Sequence, residues 1–98
     1  MFTILSICGS GIATSTLVSE RLKEGLEEEG ISDIVIQEAN VNEASGMIQN
    51  NRPDVVISTT PLDSVDLDGL KDFSGLPILM NLNAKALYRE IADYLRTL

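Results

Sequence analysis

The chain has no histidine among its 98 residues. That absence removes Ser–His and Cys–His nucleophilic pairs. It also removes the commonest transition-metal ligand, so a zinc enzyme is not expected. Cysteine occurs once, at Cys8, and one cysteine makes neither an internal disulfide nor a structural zinc site. No apolar run approaches the ~18–20 residues of a membrane span. Met1 leads straight into a strand pattern, without the basic region and cleavage site of a secretory signal, so a cytosolic protein is expected. Positive charge is scarce: 7 Lys and Arg stand against 15 Asp and Glu, a net charge of −8. Duplex nucleic acid is bound mainly through Lys and Arg on phosphates and is therefore not an expected partner. What is present suits a single globular domain over residues 1–98, with 44% hydrophobic side chains to build one core.

Strand and helix patterns alternate along the chain. Residues 2–7 are apolar and β-rich, as in a buried parallel strand. From Thr14 to Glu29 the positions Leu17, Val18, Leu22 and Leu26 mark one helix face, and Gly30 supplies a stop. Residues 33–39 read as a second strand. Asn42 is the expected cap of a short helix running through Met47 and Ile48, which Pro53 ends. Residues 54–58 form a third strand and residues 77–80 a fourth. Asn83 is the expected cap of a last helix whose apolar face is Ala84, Leu87, Ile91, Tyr94, Leu95 and Leu98. This alternation predicts an α/β fold with a parallel sheet covered on both faces. Residues 59–76, with Asp63, Asp66, Asp68 and Asp72, are long for a plain loop; such a segment is functional or conceals an element, for which Asp66 through Phe73 is the candidate helix.

The chemistry gathers at Cys8. An apolar strand ends in a thiol and feeds the small-residue turn Gly9-Ser10-Gly11-Ile12-Ala13-Thr14-Ser15-Thr16, which opens a helix. Loop amides and a helix N-terminus bind anions, and the same field raises a thiol's thiolate fraction. Gly9 and Gly11 permit unusual dihedrals and close approach of an anion. Amides of residues 9–15 can point at a tetrahedral oxyanion, and Ser10, Thr14, Ser15 and Thr16 add hydroxyls, with Ser15 a candidate donor to the thiolate. No Lys or Arg precedes Arg21, so backbone amides carry the anion. In a sheet of order 2-1-3-4 the ligand crevice lies between strands 1 and 3. The segment Ser58-Thr59-Thr60-Pro61 should border it.

Rival readings of the loop lack essential residues. A dinucleotide fingerprint needs a third glycine where Thr14 stands. A nucleoside-triphosphatase loop needs a lysine that is absent. A cysteine phosphatase of the low-molecular-weight type needs an arginine six residues after its cysteine, again the position of Thr14. An arsenate reductase needs further cysteines. Hydrolysis of a phosphocysteine gains from a cation on the transferring group, so a loop without one favours a carrier over a hydrolase. The plain alternative is a buried core thiol.

The string Cys8-Gly9-Ser10-Gly11-Ile12-Ala13-Thr14-Ser15-Thr16 resembles the active-site loop of galactitol-type IIB components of the phosphoenolpyruvate-dependent sugar phosphotransferase system. Beyond residue 30 the likeness is one of layout. The resemblance implies a flavodoxin-like three-layer sandwich, with a four-stranded parallel sheet in order 2-1-3-4 and helices on both faces. It implies a phosphotransferase in which Cys8 is catalytic and Gly9, Ser10, Gly11, Ile12, Ala13, Thr14 and Ser15 bind phosphate. A histidine-phosphorylated IIA partner donates to Cys8, and phospho-Cys8 passes the group to a polyol or sugar held by the membrane subunit IIC. No cofactor or metal is implied. The carrier is expected as a monomer that meets the inner membrane face through IIC. A small cysteine phosphatase and a phosphorylation-sensing regulatory module are the alternatives.

The remaining side chains read more plainly. Arg21 and Lys23 are expected on solvated positions, and Asp63 and Asp66 at the surface, since carboxylates repel a phosphate. Glu27, Glu28 and Glu29 are expected on a solvated helix end, against the helix dipole. Tyr88, Tyr94, Met47 and Met80 are expected in packing roles.

Overall fold

Alternation of side chains across an extended segment decides how this sheet is buried on both faces. In the computed structural model, which describes residues 2–8, 12–60, 62 and 65–98 with 12–16 as backbone alone, the first strand is β1 (Phe2–Cys8), followed by α1 (Ile12–Glu28). Next come β2 (Ile34–Asn40), α2 (Val41–Asn50) and β3 (Val55–Ser58). The chain closes with β4 (Asp72–Ser74), α3 (Leu76–Met80) and α4 (Ala84–Arg96). All strand pairs are parallel, in the order β2-β1-β3-β4. Helices cover both faces, the flavodoxin-like arrangement expected of this α/β chain.

Ile4, Val55 and Ile57 face one layer, where Val18, Leu22 and Leu26 of α1 meet Ile78 of α3 and Leu87, Ile91 and Leu95 of α4. Leu5, Ile7 and Val56 face the other layer, against Ala44 and Ile48 of α2 and against Val65, with Leu62, Leu67 and Leu70 alongside. Leu62, Val65, Leu67 and Leu70 of the segment before β4 therefore cover that face as a helix would, with neither helix nor strand among the described residues of that segment. Arg52 donates to the Asp68 carboxylate at 2.8 Å and to its carbonyl at 2.9 Å, and the Asp66 amide donates to Ser45 Oγ at 3.1 Å. Asp68 and Gly69 take positive φ there, a turn rather than the candidate helix over Asp66 through Phe73.

Helix ends follow local chemistry. At the end of α1 the Ile31 amide reaches the Leu26 carbonyl at 2.8 Å and the Gly30 amide the Glu27 carbonyl at 3.0 Å, with Gly30 at φ +92°. This is the Schellman stop, with Ile31 buried in the same core as Leu26. The exposed Glu27 and Glu28 are offset there by Arg96, which donates to the Glu29 carbonyl. The cap of α2 is Asn40, not Asn42. Its side chain accepts from the Glu43 amide at 3.0 Å, and Glu43 accepts from the Asn40 amide at 3.1 Å, a reciprocal capping box that Asn42 has no partner to make. Asn83 does cap α4 by position, in the left-handed region and without a side-chain cap hydrogen bond.

The fourth strand is the main correction. Residues 77–80 form α3, and β4 lies at Asp72–Ser74. Pro77 sits in the first turn of α3, where its missing amide costs nothing. Ile78 is buried while Leu76 and Met80 are exposed, a helical rather than an alternating pattern. Met80, 61% exposed, is thus outside the core, as are Leu98 and, at 36% exposed, Leu17. Met47 packs against the α2-side core, and Tyr88 and Tyr94 against the opposite one. Among the described residues no helix is long and apolar enough to cross a membrane.

Candidate functional site

Cys8 is the last residue of β1, and β1 lies between β2 and β3. Strand β2 is reached through α1, in the layer that α1 shares with α3 and α4, and β3 through α2, in the opposite layer. The order of strands reverses beside Cys8, and the carboxyl end of such a switch is where α/β sheets open a ligand crevice. The chain re-enters helix at Ile12, so the N-terminus of α1, with no acidic residue in its first turn, follows closely on the thiol.

The partner of the thiol comes from across the crevice. Ile7 is in register with Ser58, so Cys8 and Thr59 are lateral neighbours on the same side of the sheet. The ladder extends one step further, the Thr59 amide donating to the Ile7 carbonyl at 3.2 Å. Thr59 Oγ1 then stands 3.4 Å from Cys8 Sγ. Cys8 is 5% exposed. On the far side of Thr59, the Gly75 amide donates to the Ser58 carbonyl at 2.6 Å. An open cavity of ≈ 330 Å³ runs along this edge, with Thr59, Thr60, Ser74 and Leu76 in its wall and Asp72 as its described carboxylate. Hydroxyl groups therefore dominate the polar wall of this cavity, and one of them, that of Thr59, also meets the thiol.

Arg21 is half-buried rather than fully solvated. Its guanidinium donates from Nη1 to the carbonyls of Ile78 at 2.9 Å and Leu79 at 3.3 Å. These carbonyls close α3, which has no basic residue of its own in its last turn, and a cation there complements the helix dipole. Arg21 thereby ties α3, and with it the turn at Gly75, to the helix that follows Cys8. Lys23 and Asp66 are exposed as expected.

Other expected site residues divide by where they fall. Gly9, Ser10, Gly11, Pro61 and Asp63 lie outside the described residues. Ile12, Ala13, Thr14 and Ser15 are described as backbone only, in the first turn of α1. Thr59 is brought to the thiol, as the crevice argument required. Gly75 was not legible as part of the site, although Gly75-Leu76-Pro77 carries the signature of a helix start. Among the described residues no group of three His, Cys, Asp or Glu side chains is arranged to hold a metal ion.

Comparison with known proteins agrees with this geometry. The profile of the family "PTS system, Lactose/Cellobiose specific IIB subunit" matches residues 3–96. The chain is also 33% identical over 91 residues to an Escherichia coli (strain K12) protein, "Putative phosphotransferase enzyme IIB component SgcB", covering 93% of this chain and 94% of that protein.

Proposed function

Since the chain belongs to the IIB family of the sugar phosphotransferase system, we propose that it is a cytoplasmic phosphoryl carrier in which Cys8 holds the phosphoryl group. A phosphohistidine of a IIA protein donates, the Cys8 thiolate accepts, and phospho-Cys8 passes the group to a sugar or polyol presented by a membrane IIC subunit. The observation that carries this reading is the place of Cys8: a nearly buried thiol at the carboxyl end of β1, on the switch in strand order, one turn ahead of a helix N-terminus. Gly9, Ser10, Gly11, Ile12, Ala13, Thr14 and Ser15 are the proposed cradle, their amides facing the phosphoryl oxygens. Thr14 stands where a phosphatase of the low-molecular-weight type has its arginine. Without that cation, attack by water is not accelerated, and the group persists until an aligned hydroxyl arrives.

The proposed acceptor is of galactitol type, on the strength of the Cys8–Thr16 string. The family description speaks of lactose and cellobiose, so the acceptor panel contains all of these. The test supplies phosphoenolpyruvate, the general proteins of the system and a panel of IIA donors, and locates the phosphate by mass spectrometry. The expected result is one phosphoryl group on Cys8, none on Cys8→Ser, and a phosphoprotein that survives isolation at neutral pH. Discharge follows on adding the membrane subunit with its correct acceptor. Repeated turnover of a small phosphate ester would make the protein a phosphatase instead.

A further inference from the structure

Thr59 meets the thiol with a fixed orientation, and the cause lies in the turn that precedes α3. An added Cβ at Gly75 would stand 3.1 Å from Thr59 Cγ2, 3.0 Å from Ile57 Cγ2 and 3.4 Å from the Ser58 carbonyl oxygen. The methyl group of Thr59 therefore rests on bare backbone at Gly75. A β-branched side chain has few χ1 choices. With its methyl seated against Gly75, Thr59 turns its hydroxyl to Cys8 Sγ. The turn itself is held from both sides, by the Gly75 amide on the Ser58 carbonyl and by Arg21 on the carbonyls of α3.

We propose that Thr59 is a catalytic residue whose hydroxyl donates to the Cys8 thiolate, and that Gly75 is the positioning residue that aims it. This rests on the carrier reading above. A thiolate only accepts hydrogen bonds, so the hydroxyl is the donor in the reactive state, and a bond to an ionised acceptor is stronger than a neutral one. In the transfer, a sulfur lone pair forms the S–P bond while the N–P bond of the donor phosphohistidine breaks. The electron pair of the broken N–P bond stays on the imidazole nitrogen, which takes a proton from water. Thr59 acts before bond formation, by stabilising the charge on sulfur.

The experiment separates the hydroxyl from the carrier reading by using two readouts on the same proteins. Alkylation of Cys8 by iodoacetamide is followed against pH with no partner present, and phosphoryl uptake from the IIA donor is measured in parallel. Thr59→Val keeps the shape and loses the hydroxyl; alkylation at pH 7 is expected to slow by roughly tenfold. Thr59→Ser should restore most of the rate. Gly75→Ala should fall between wild type and Thr59→Val, and should add little on the Thr59→Val background, because both act through one hydrogen bond. Thr59→Val that alkylates like wild type at every pH, or Thr59→Ser as slow as Thr59→Val, overturns the role of the hydroxyl. The expected alkylation series together with no phosphoryl uptake by any form, wild type included, overturns the carrier reading and leaves thiolate stabilisation standing.

Discussion

Helix α1 begins at the site and crosses α4 at Gly25, where the two helices approach closely enough for a single methyl group to matter. An added Cβ at Gly25 would lie 2.4 Å from Tyr88 Cδ2 and 2.5 Å from Cε2 and Cγ. Carbon contacts are most favourable at about 3.5–4.0 Å, so Gly25→Ala needs roughly 1 Å of extra separation. Cγ is the root of the ring, so a small swing of its far edge does not clear the contact. Overpacking of this kind costs about 1–3 kcal/mol, while replacing a mid-helix glycine by alanine returns about 1 kcal/mol through propensity. The expected net loss is about 1 kcal/mol, or a fall in Tm of about 4–8 °C for a domain of this size. Urea denaturation followed by circular dichroism measures it. The decisive comparison repeats Gly25→Ala on a Tyr88→Ala background. There the clash is gone, propensity remains, and the substitution should stabilise by about 1 kcal/mol. A Gly25→Ala protein more stable than wild type, or the same sign on both backgrounds, refutes the close crossing.

Two further outcomes are expected. Arg21→Met removes both Nη1 hydrogen bonds to α3 and should lower stability by about 1 kcal/mol, with faster amide exchange through Ile78–Leu82; Arg21→Lys keeps a cation at the end of α3 and should recover part of the loss. Burial pushes the Tyr88 phenol above its usual range against the pull of Arg21, with Glu24 and Glu28 adding to the rise. The folded state thus favours the neutral phenol: its contribution is complete below the unfolded value of about 10 and is lost as pH rises through the higher folded value. The urea midpoint should therefore fall between pH 9 and pH 11 by more in wild type than in Tyr88→Phe.

Elements whose burial repeats along their length were readable from sequence. β1, β3 and α4 are of this kind, and Val18, Leu22 and Leu26 fixed the inner face of α1. The failures cluster where a partner distant in sequence decides the outcome. Ile78-Leu79-Met80 is too short for periodicity to separate strand from helix; the Gly75 start and Pro77 decide it. In Asp72-Phe73-Ser74 only Phe73 is partly buried, and what makes it a strand is pairing with β3, aided by Lys71 Nζ 5.3 Å from the Phe73 ring centroid. Cys8 stood out because a strand pattern, a glycine-bearing string and a helix pattern follow one another in the sequence. Thr59 was reachable through strand order alone. Arg21 was misplaced because its carbonyl partners lie 57 and 58 residues away, and Gly75 acts through a side chain it does not have.

The irregular segment before β4 has a consequence for how the fold opens. Proteins unfold in cooperative pieces whose opening free energies range from near zero to the global value, and stretches with few ladder hydrogen bonds open first. Residues 59–71 contain neither helix nor strand among those described, and β4 beyond them is three residues long at the sheet edge. Strand β4 can detach while β1, paired along both sides, stays protected. When it leaves, the adjoining Gly75 leaves the Ser58 carbonyl and Thr59 loses the surface that orients it. Amides of β4 should therefore exchange with solvent at a subglobal free energy, well ahead of those in β1. The thiol is anchored in the most durable strand, and the group that orients beside it is governed by a separate, more labile opening equilibrium.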